Sequence, residues 1–205
     1  MRRRGFSLVE ISVVLVITAL LAAMSLSAYG KLKNQASFNV FGADLTAQLN
    51  EARNRASLDQ KPVVVVFLGG AATVQPRYVV FEDVDSDFNA STFDPTQPIA
   101  APDVPLYDET AGGTIAWGPS TGFGGNLPAP FDSIPATTTT SFPSTASSSA
   151  PYTHRAILIF NGDGSLTLDN GARGGSISLY DTAAPARELT VAFVAPTGTV
   201  RGFSK

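Results

Sequence analysis

The 205-residue chain contains no cysteine. Disulfides, thiolate nucleophiles and cysteine-bound metals are excluded, and an exported domain of this sequence must hold together through its hydrophobic core alone. An excess of positive charge is also lacking: 14 Lys and Arg stand against 17 Asp and Glu, a formal net charge of −3. That balance argues against broad electrostatic affinity for nucleic acid, whose binding proteins carry a basic patch. A local patch is still compatible with that balance, and Arg201 and Lys205 give the tail a small positive end. Histidine occurs once, at His154. The letters of a nucleophile elbow occur in Gly118-Pro-Ser120-Thr-Gly122, but that motif needs a strand entering it and a helix leaving it. Pro119 and a glycine-rich loop stand there instead, and the chain is read as not an enzyme.

Charge is absent as well from Ile11 to Gly30. A run of roughly 20 apolar residues coiled as a helix matches the hydrocarbon thickness of a bilayer. Arg2, Arg3 and Arg4 precede it and should hold the amino end in the cytoplasm, with everything after Gly30 on the other side. A secretory signal is the rival reading, with Ala28 and Gly30 as the small residues of a cleavage site. Glu10 speaks against that rival. A carboxylate at the start of a membrane helix costs a few kcal/mol unless it finds a partner, and a discarded signal gains nothing from it. If the chain is cut between Gly5 and Phe6, the new amine at Phe6 is a cation near the bilayer edge that the Glu10 of a neighbouring subunit could neutralise.

The segment Arg4-Gly5-Phe6-Ser-Leu-Val-Glu10 closely resembles the processing motif of type IV prepilins and type II secretion pseudopilins. The resemblance implies that a prepilin peptidase of the inner membrane removes residues 1–5 and that Phe6 is N-methylated. Glu10 becomes the fifth residue of the mature chain, and the apolar segment is kept for assembly with other pilin or pseudopilin subunits. Loss of the leader arginines leaves the mature chain more acidic still. The disulfide-closed carboxyl-terminal loop of many major pilins is absent. Ser27 stands where major pilins often have a helix-kinking proline.

From Lys31 the apolar spacing changes. Phe38, Phe41, Leu45, Leu49, Ala52 and Ala56 recur at three and four, one stripe of an amphipathic helix, with Asn39, Asp44, Gln48, Glu51, Arg53 and Arg55 on the side that wants water. Gly30 and Gly42 are tolerated at a modest cost, so one helix of roughly 80 Å is expected from near Phe6 to Asp59, ended by Lys61-Pro62. Val63 to Leu68 reads as a buried strand and Tyr78 to Glu82 as its hairpin partner. Residues 83–152 are rich in proline, glycine, serine and threonine and read as a low-complexity surface insertion. A short strand is expected there at Thr114 to Trp117. Ala156 to Phe160, Ser165 to Asp169, Ser176 to Tyr180, Glu188 to Val194 and Thr199 to Phe203 read as an antiparallel meander, with turns at Asn161-Gly-Asp-Gly164, Asn170-Gly171 and Pro196 to Gly198.

The expected fold is therefore α+β, a long amino-terminal helix packed on an antiparallel β-sandwich head. The segments are 1–5 leader, 6–30 transmembrane and assembly helix, 31–60 its amphipathic continuation, and 61–205 a periplasmic head. Phe160-Asn-Gly-Asp-Gly164 and Pro196-Thr-Gly-Thr-Val-Arg201, after an Ala52-Arg-Asn-Arg-Ala56 helix end, are similar to the GspH/FimT group of minor pseudopilins and minor pilins. Some members of that group bind DNA through a basic tail, of which Arg201 and Lys205 are a partial counterpart.

Asp83-Val-Asp85-Ser-Asp87-Phe-Asn89, with Asp94 further on, places oxygen ligands at alternate positions as calcium loops do. Phe88 stands where an EF-hand needs glycine, and Asp94 where it needs glutamate. A solvated acidic turn after a strand is the competing reading, and no cofactor is expected. Trp117 is read as packing.

Overall fold

A computed structural model of the chain describes residues 8–69, 74–89, 92–94, 96–118, 127–129, 131, 154–168 and 173–204. The backbone is helical from Leu8 to Asp59 (α1). The chain divides into two units, residues 1–37 and residues 38–205.

In the first unit the described residues carry their large apolar side chains exposed: Leu8 is 83% exposed, Leu15 63% and Leu26 73%. Its most apolar window reaches a mean hydropathy of 2.4, long and apolar enough to cross a membrane. Polar side chains in it bond back to their own helix. Ser12 Oγ donates to the Leu8 carbonyl at 2.9 Å, Thr18 Oγ1 to that of Val14 at 2.8 Å, and Ser25 Oγ to that of Leu21 at 2.8 Å. A hydroxyl satisfied in this way can enter hydrocarbon at little cost.

The second unit begins where the stripe begins. Phe38, Phe41, Leu45, Leu49, Ala52 and Ala56 are each at most 5% exposed, so the periodicity identifies the helix face that builds the core. Gln60, in the left-handed region at φ 55, turns the chain out of α1. Its amide donates to the Ser57 carbonyl at 2.7 Å, one of those a helix end leaves without a partner, and to the Gly162 carbonyl at 3.0 Å.

Among the described residues nine strands follow: β1 Val63–Gly69, β2 Arg77–Glu82, β3 Val104–Thr110, β4 Ile115–Trp117, β5 His154–Phe160, β6 Leu166–Leu168, β7 Gly174–Asp181, β8 Ala184–Val194 and β9 Thr199–Ser204. They form two antiparallel sheets, ordered β3-β2-β1-β5-β6 and β4-β7-β8-β9. The α+β expectation holds, with a difference of connectivity. The late strands are not one meander: β5 and β6 close the first sheet, and only β7, β8 and β9 run consecutively in the second. Strand β4 falls within the stretch expected to form a strand, whereas β3 arises where no strand was expected. The Asn170-Gly171 turn lies outside the described residues.

Val63, Val65 and Phe67 share one core with the helix stripe and with Ile177, Leu179, Val191 and Phe193 of the second sheet. Val64, Val66 and Leu68 point the other way, to a second cluster with Val79, Phe81 and Ile157. Phe88, Phe93 and Ile99 pack over that second face, and the rings of Phe81 and Phe93 stack at 5.6 Å. Strand β1 is buried throughout because it is covered on both faces, which is why its sequence is continuously apolar rather than alternating. Phe88, Phe93 and Ile99, inside the stretch read as an insertion, form part of that cover. On the second sheet, Leu127 and Phe131 pack with Ala192, Val194 and Phe203.

Candidate functional site

The amino-terminal motif is the chain's principal candidate site. Gly5 and Phe6 lie outside the described residues. Glu10 stands in the first turn of α1, where the helix dipole favours negative charge, and it is exposed among exposed apolar neighbours. Such a surface is stable only when lipid or another apolar helix covers it.

The acidic turn gathers a different set of residues from the one its spacing suggests. Carboxylate oxygens of Asp83, Asp87 and Asp103 all lie within 4.8 Å of one another. Asp103, nearly twenty residues along the chain, joins the group, while Asp85 is not part of it. Asp85 instead meets Asp87 by a side-chain hydrogen bond and its charge, and these raise the Asp87 carboxyl above its ordinary value. Burial pushes the Asp83 carboxyl up, and the amides of Phe88 and Asp87 pull against that shift.

The oxygens of the group already have work in the turn. Asp83 Oδ1 accepts from the Asp87 amide at 3.1 Å and Oδ2 from that of Phe88 at 3.4 Å, while Asp103 Oδ1 accepts from Val84 at 3.0 Å. Asp94 closes its own turn, accepting from the Thr96 amide and hydroxyl at 2.9 and 2.7 Å. The group thus shares Asp83 and Asp87 with the alternating set and has Asp103 in place of Asp85. The carboxylates cap the turn that starts the cover over the first sheet.

Trp117 is built into the core. Its indole N–H donates to the Leu68 carbonyl at 2.8 Å, and its ring meets Phe67 edge-on at 5.7 Å. Gly118 abuts the Tyr180 ring so closely that a Cβ there would lie 2.3 Å from Cε1. Ser120 lies outside the described residues, as does Lys205. Arg201 is exposed on β9 with its guanidinium 5.4 Å from the centre of the Phe203 ring.

Three motifs far apart in sequence converge at the carboxyl end of α1, and no local sequence signal announces their meeting. Gly198, at φ 58, leaves so little room that a Cβ would lie 2.3 Å from the Gly164 carbonyl oxygen and 3.1 Å from Arg53 Nε. Only glycine fits both demands. The Ala52–Ala56 helix end, the Asn161–Gly164 turn and the Pro196–Gly198 turn are therefore parts of one junction. Glu82, buried beside it, sits 3.1 Å from Lys61 Nζ and 3.5 Å from Arg55 Nε.

Among curated proteins and among solved structures, no match was found. The family model described as the prokaryotic N-terminal methylation motif matches residues 1–26. The motif is that of structural proteins rather than catalysts, and it brings Gly5, Phe6 and Glu10 into one matched segment that runs into a helix with an exposed apolar surface. Over these residues the chain carries the amino-terminal methylation motif, which indicates a type IV pilin-like or pseudopilin protein.

Proposed function

We propose that the chain is a minor pilin or pseudopilin of the GspH/FimT kind, a subunit that enters or primes a type IV pilus or a type II secretion pseudopilus. A prepilin peptidase removes residues 1–5, Phe6 is N-methylated, and the apolar helix is retained. Before assembly the chain crosses the inner membrane once, with its amino end cytoplasmic and its head periplasmic. In the assembly Glu10 neutralises the amine of an adjacent subunit and so sets the axial register.

The observation that carries this reading is the methylation motif over residues 1–26, which overlaps an exposed helix that holds Glu10 in its first turn and is uncharged from Ile11 to Gly30. A buried carboxylate without a counter-charge is costly in hydrocarbon, and the amine freed by cleavage is a counter-charge of the right sign. The GspH/FimT assignment rests on the resemblance of the Ala52–Ala56, Phe160–Gly164 and Pro196–Arg201 motifs to that group.

Intact mass and amino-terminal sequencing of the membrane-extracted mature protein test the proposal. A chain starting at N-methylated Phe6 with the apolar segment retained is the expected result. A chain starting near Lys31 means that the helix was a discarded signal, and the assembly role of Glu10 falls with it.

A further inference from the structure

The second unit holds a cavity of about 350 Å³ between strands β2 and β3 and the cover over the first sheet. Its size falls within the range of small-molecule sites, about 300–1,000 Å³. The floor is apolar: Val79 is 4% exposed, with Phe93 and Ile99 partly buried beside it. Pro98 and Pro105 extend that surface towards solvent. On one side stand Arg77 and Asp108, joined as a two-bond fork. Arg77 Nε donates to Asp108 Oδ1 at 2.8 Å and Nη2 to Oδ2 at 2.6 Å.

The other polar side chains of the lining divide into those already engaged and one that is not. The Thr96 hydroxyl donates to Asp94 Oδ1 at 2.7 Å, and the Tyr107 phenol to Asp44 Oδ2 at 2.5 Å. The Gln97 side-chain amide is exposed and, among the described residues, has no hydrogen-bond partner. Asp108 spends two of its roughly four lone-pair sites on Arg77. Acceptors at Asp108 and a donor with an acceptor at Gln97 therefore face the cavity.

Charge narrows the ligand. Between residues 74 and 118 the sequence has eight acidic residues and a single basic one, Arg77. The resulting negative field disfavours an anion such as a phosphate or a uronate. A cation fares no better, because the carboxylate it would seek is already forked to Arg77, the stronger kind of pairing. Displacing that guanidinium would strip its partner from a side chain only 21% exposed. A neutral ligand is left, with one apolar face for the floor and hydroxyls at its edge for Asp108 and Gln97. We propose that this cavity binds a neutral pyranose, as a free sugar or the terminal residue of a glycan. The proposal is independent of the assembly reading above.

Saturation-transfer NMR tests it on the full-length protein in lipid nanodiscs prepared without sugar detergents. The probes are the methyl glycosides of glucose, galactose, mannose and N-acetylglucosamine, with glucuronate and glucosamine as charged controls. Saturable transfer to at least one neutral glycoside, and none to the controls, is the expected result. Silence with all four neutral glycosides overturns the proposal, and so does equal transfer to a charged control. Two variants then locate the site. Asp108→Asn keeps the shape of the side chain and should weaken binding about tenfold or more, as a hydrogen bond to a charged group is lost. Gln97→Ala alters an exposed side chain and should weaken binding by about threefold or more with the head melting temperature unchanged. Weaker binding in either folded variant supports the site. Unchanged affinity in Gln97→Ala and in every folded Asp108→Asn preparation places the sugar elsewhere and overturns it.

Discussion

The Asp44 carboxylate ties the helix to the first sheet through two phenols. Its Oδ2 accepts from Tyr78 at 2.8 Å and from Tyr107 at 2.5 Å, and the two rings stack with centroids 5.6 Å apart. Burial, then the hydrogen bond to Asp44, raises the Tyr78 phenol above its ordinary value of 10.0. The Asp44 hydrogen bond, then burial, raises Tyr107 to about 12. Both phenols are thus held neutral by the fold. A group with a raised folded-state value contributes stability that is complete below its unfolded value and disappears as pH passes the folded one. The head should therefore keep its melting temperature up to about pH 10 and lose it progressively towards pH 12 as tyrosinate absorbance appears. In Asp44→Ala the Tyr107 titration should move down towards 10, and the neutral-pH stability should drop by about 1–3 kcal/mol for the acceptor lost to the phenols. An unchanged alkaline profile in Asp44→Ala would show that the pair does not govern this limb. Helical periodicity assigns Asp44 to water because it lies off the apolar stripe. Its partners come from β2 and β3, which no local pattern connects to residue 44.

At the scale of elements, the cover over the first sheet is the feature that tests the packing argument. Phe88, Phe93 and Ile99 lie on a face of β1, β2 and β5 that would otherwise be open. Phe81 is 1% exposed beneath them, whereas Phe93 is only partly buried. Phe81→Ala should cost about 3–5 kcal/mol, the range for a fully buried phenylalanine. Phe93→Ala should cost less, about 1–3 kcal/mol. Denaturant unfolding of both variants checks the order, and equal small losses would mean that the cover contributes nothing to the head. This face also shows what was legible in the sequence. An unbroken Val63–Leu68 run announces a strand buried on both sides, and the stripe from Phe38 to Ala56 names the core face of α1 residue by residue. Strand β3 announces nothing, since Pro105, Asp108 and Glu109 suit an edge strand that is largely exposed. The division of β5–β6 from β7–β9 was also hidden, because a turn that reverses a strand and a turn that changes sheet use the same residues. In the acidic turn the spacing of Asp83, Asp85 and Asp87 was visible, but the approach of Asp103 depends on the path of the whole cover.

Across the whole molecule, the two units answer to different surroundings. Residues 38–205 bury a core of their own, and the described part of residues 1–37 buries none of its large apolar side chains. Stability of the head and competence for assembly should therefore respond to different mutations, because distant sites without shared partners act independently. Glu10→Ala is the sharpest case. The substitution lies in the first unit, so the head's melting temperature should be unchanged. Alanine is at least as good a helix former as glutamate, so α1 should persist and membrane insertion should be retained, with one costly carboxylate fewer. Cleavage after Gly5 should proceed, since the bond and its flanking residues are intact. Incorporation alone should fail, as the neighbouring Phe6 amine would be left in an apolar setting without a counter-charge. Mature amino-terminal sequencing, head melting and recovery in sheared filaments, measured on the same preparation, separate these outcomes. Loss of cleavage would move Glu10 from assembly to peptidase recognition, and normal recovery in filaments would remove its role in axial register.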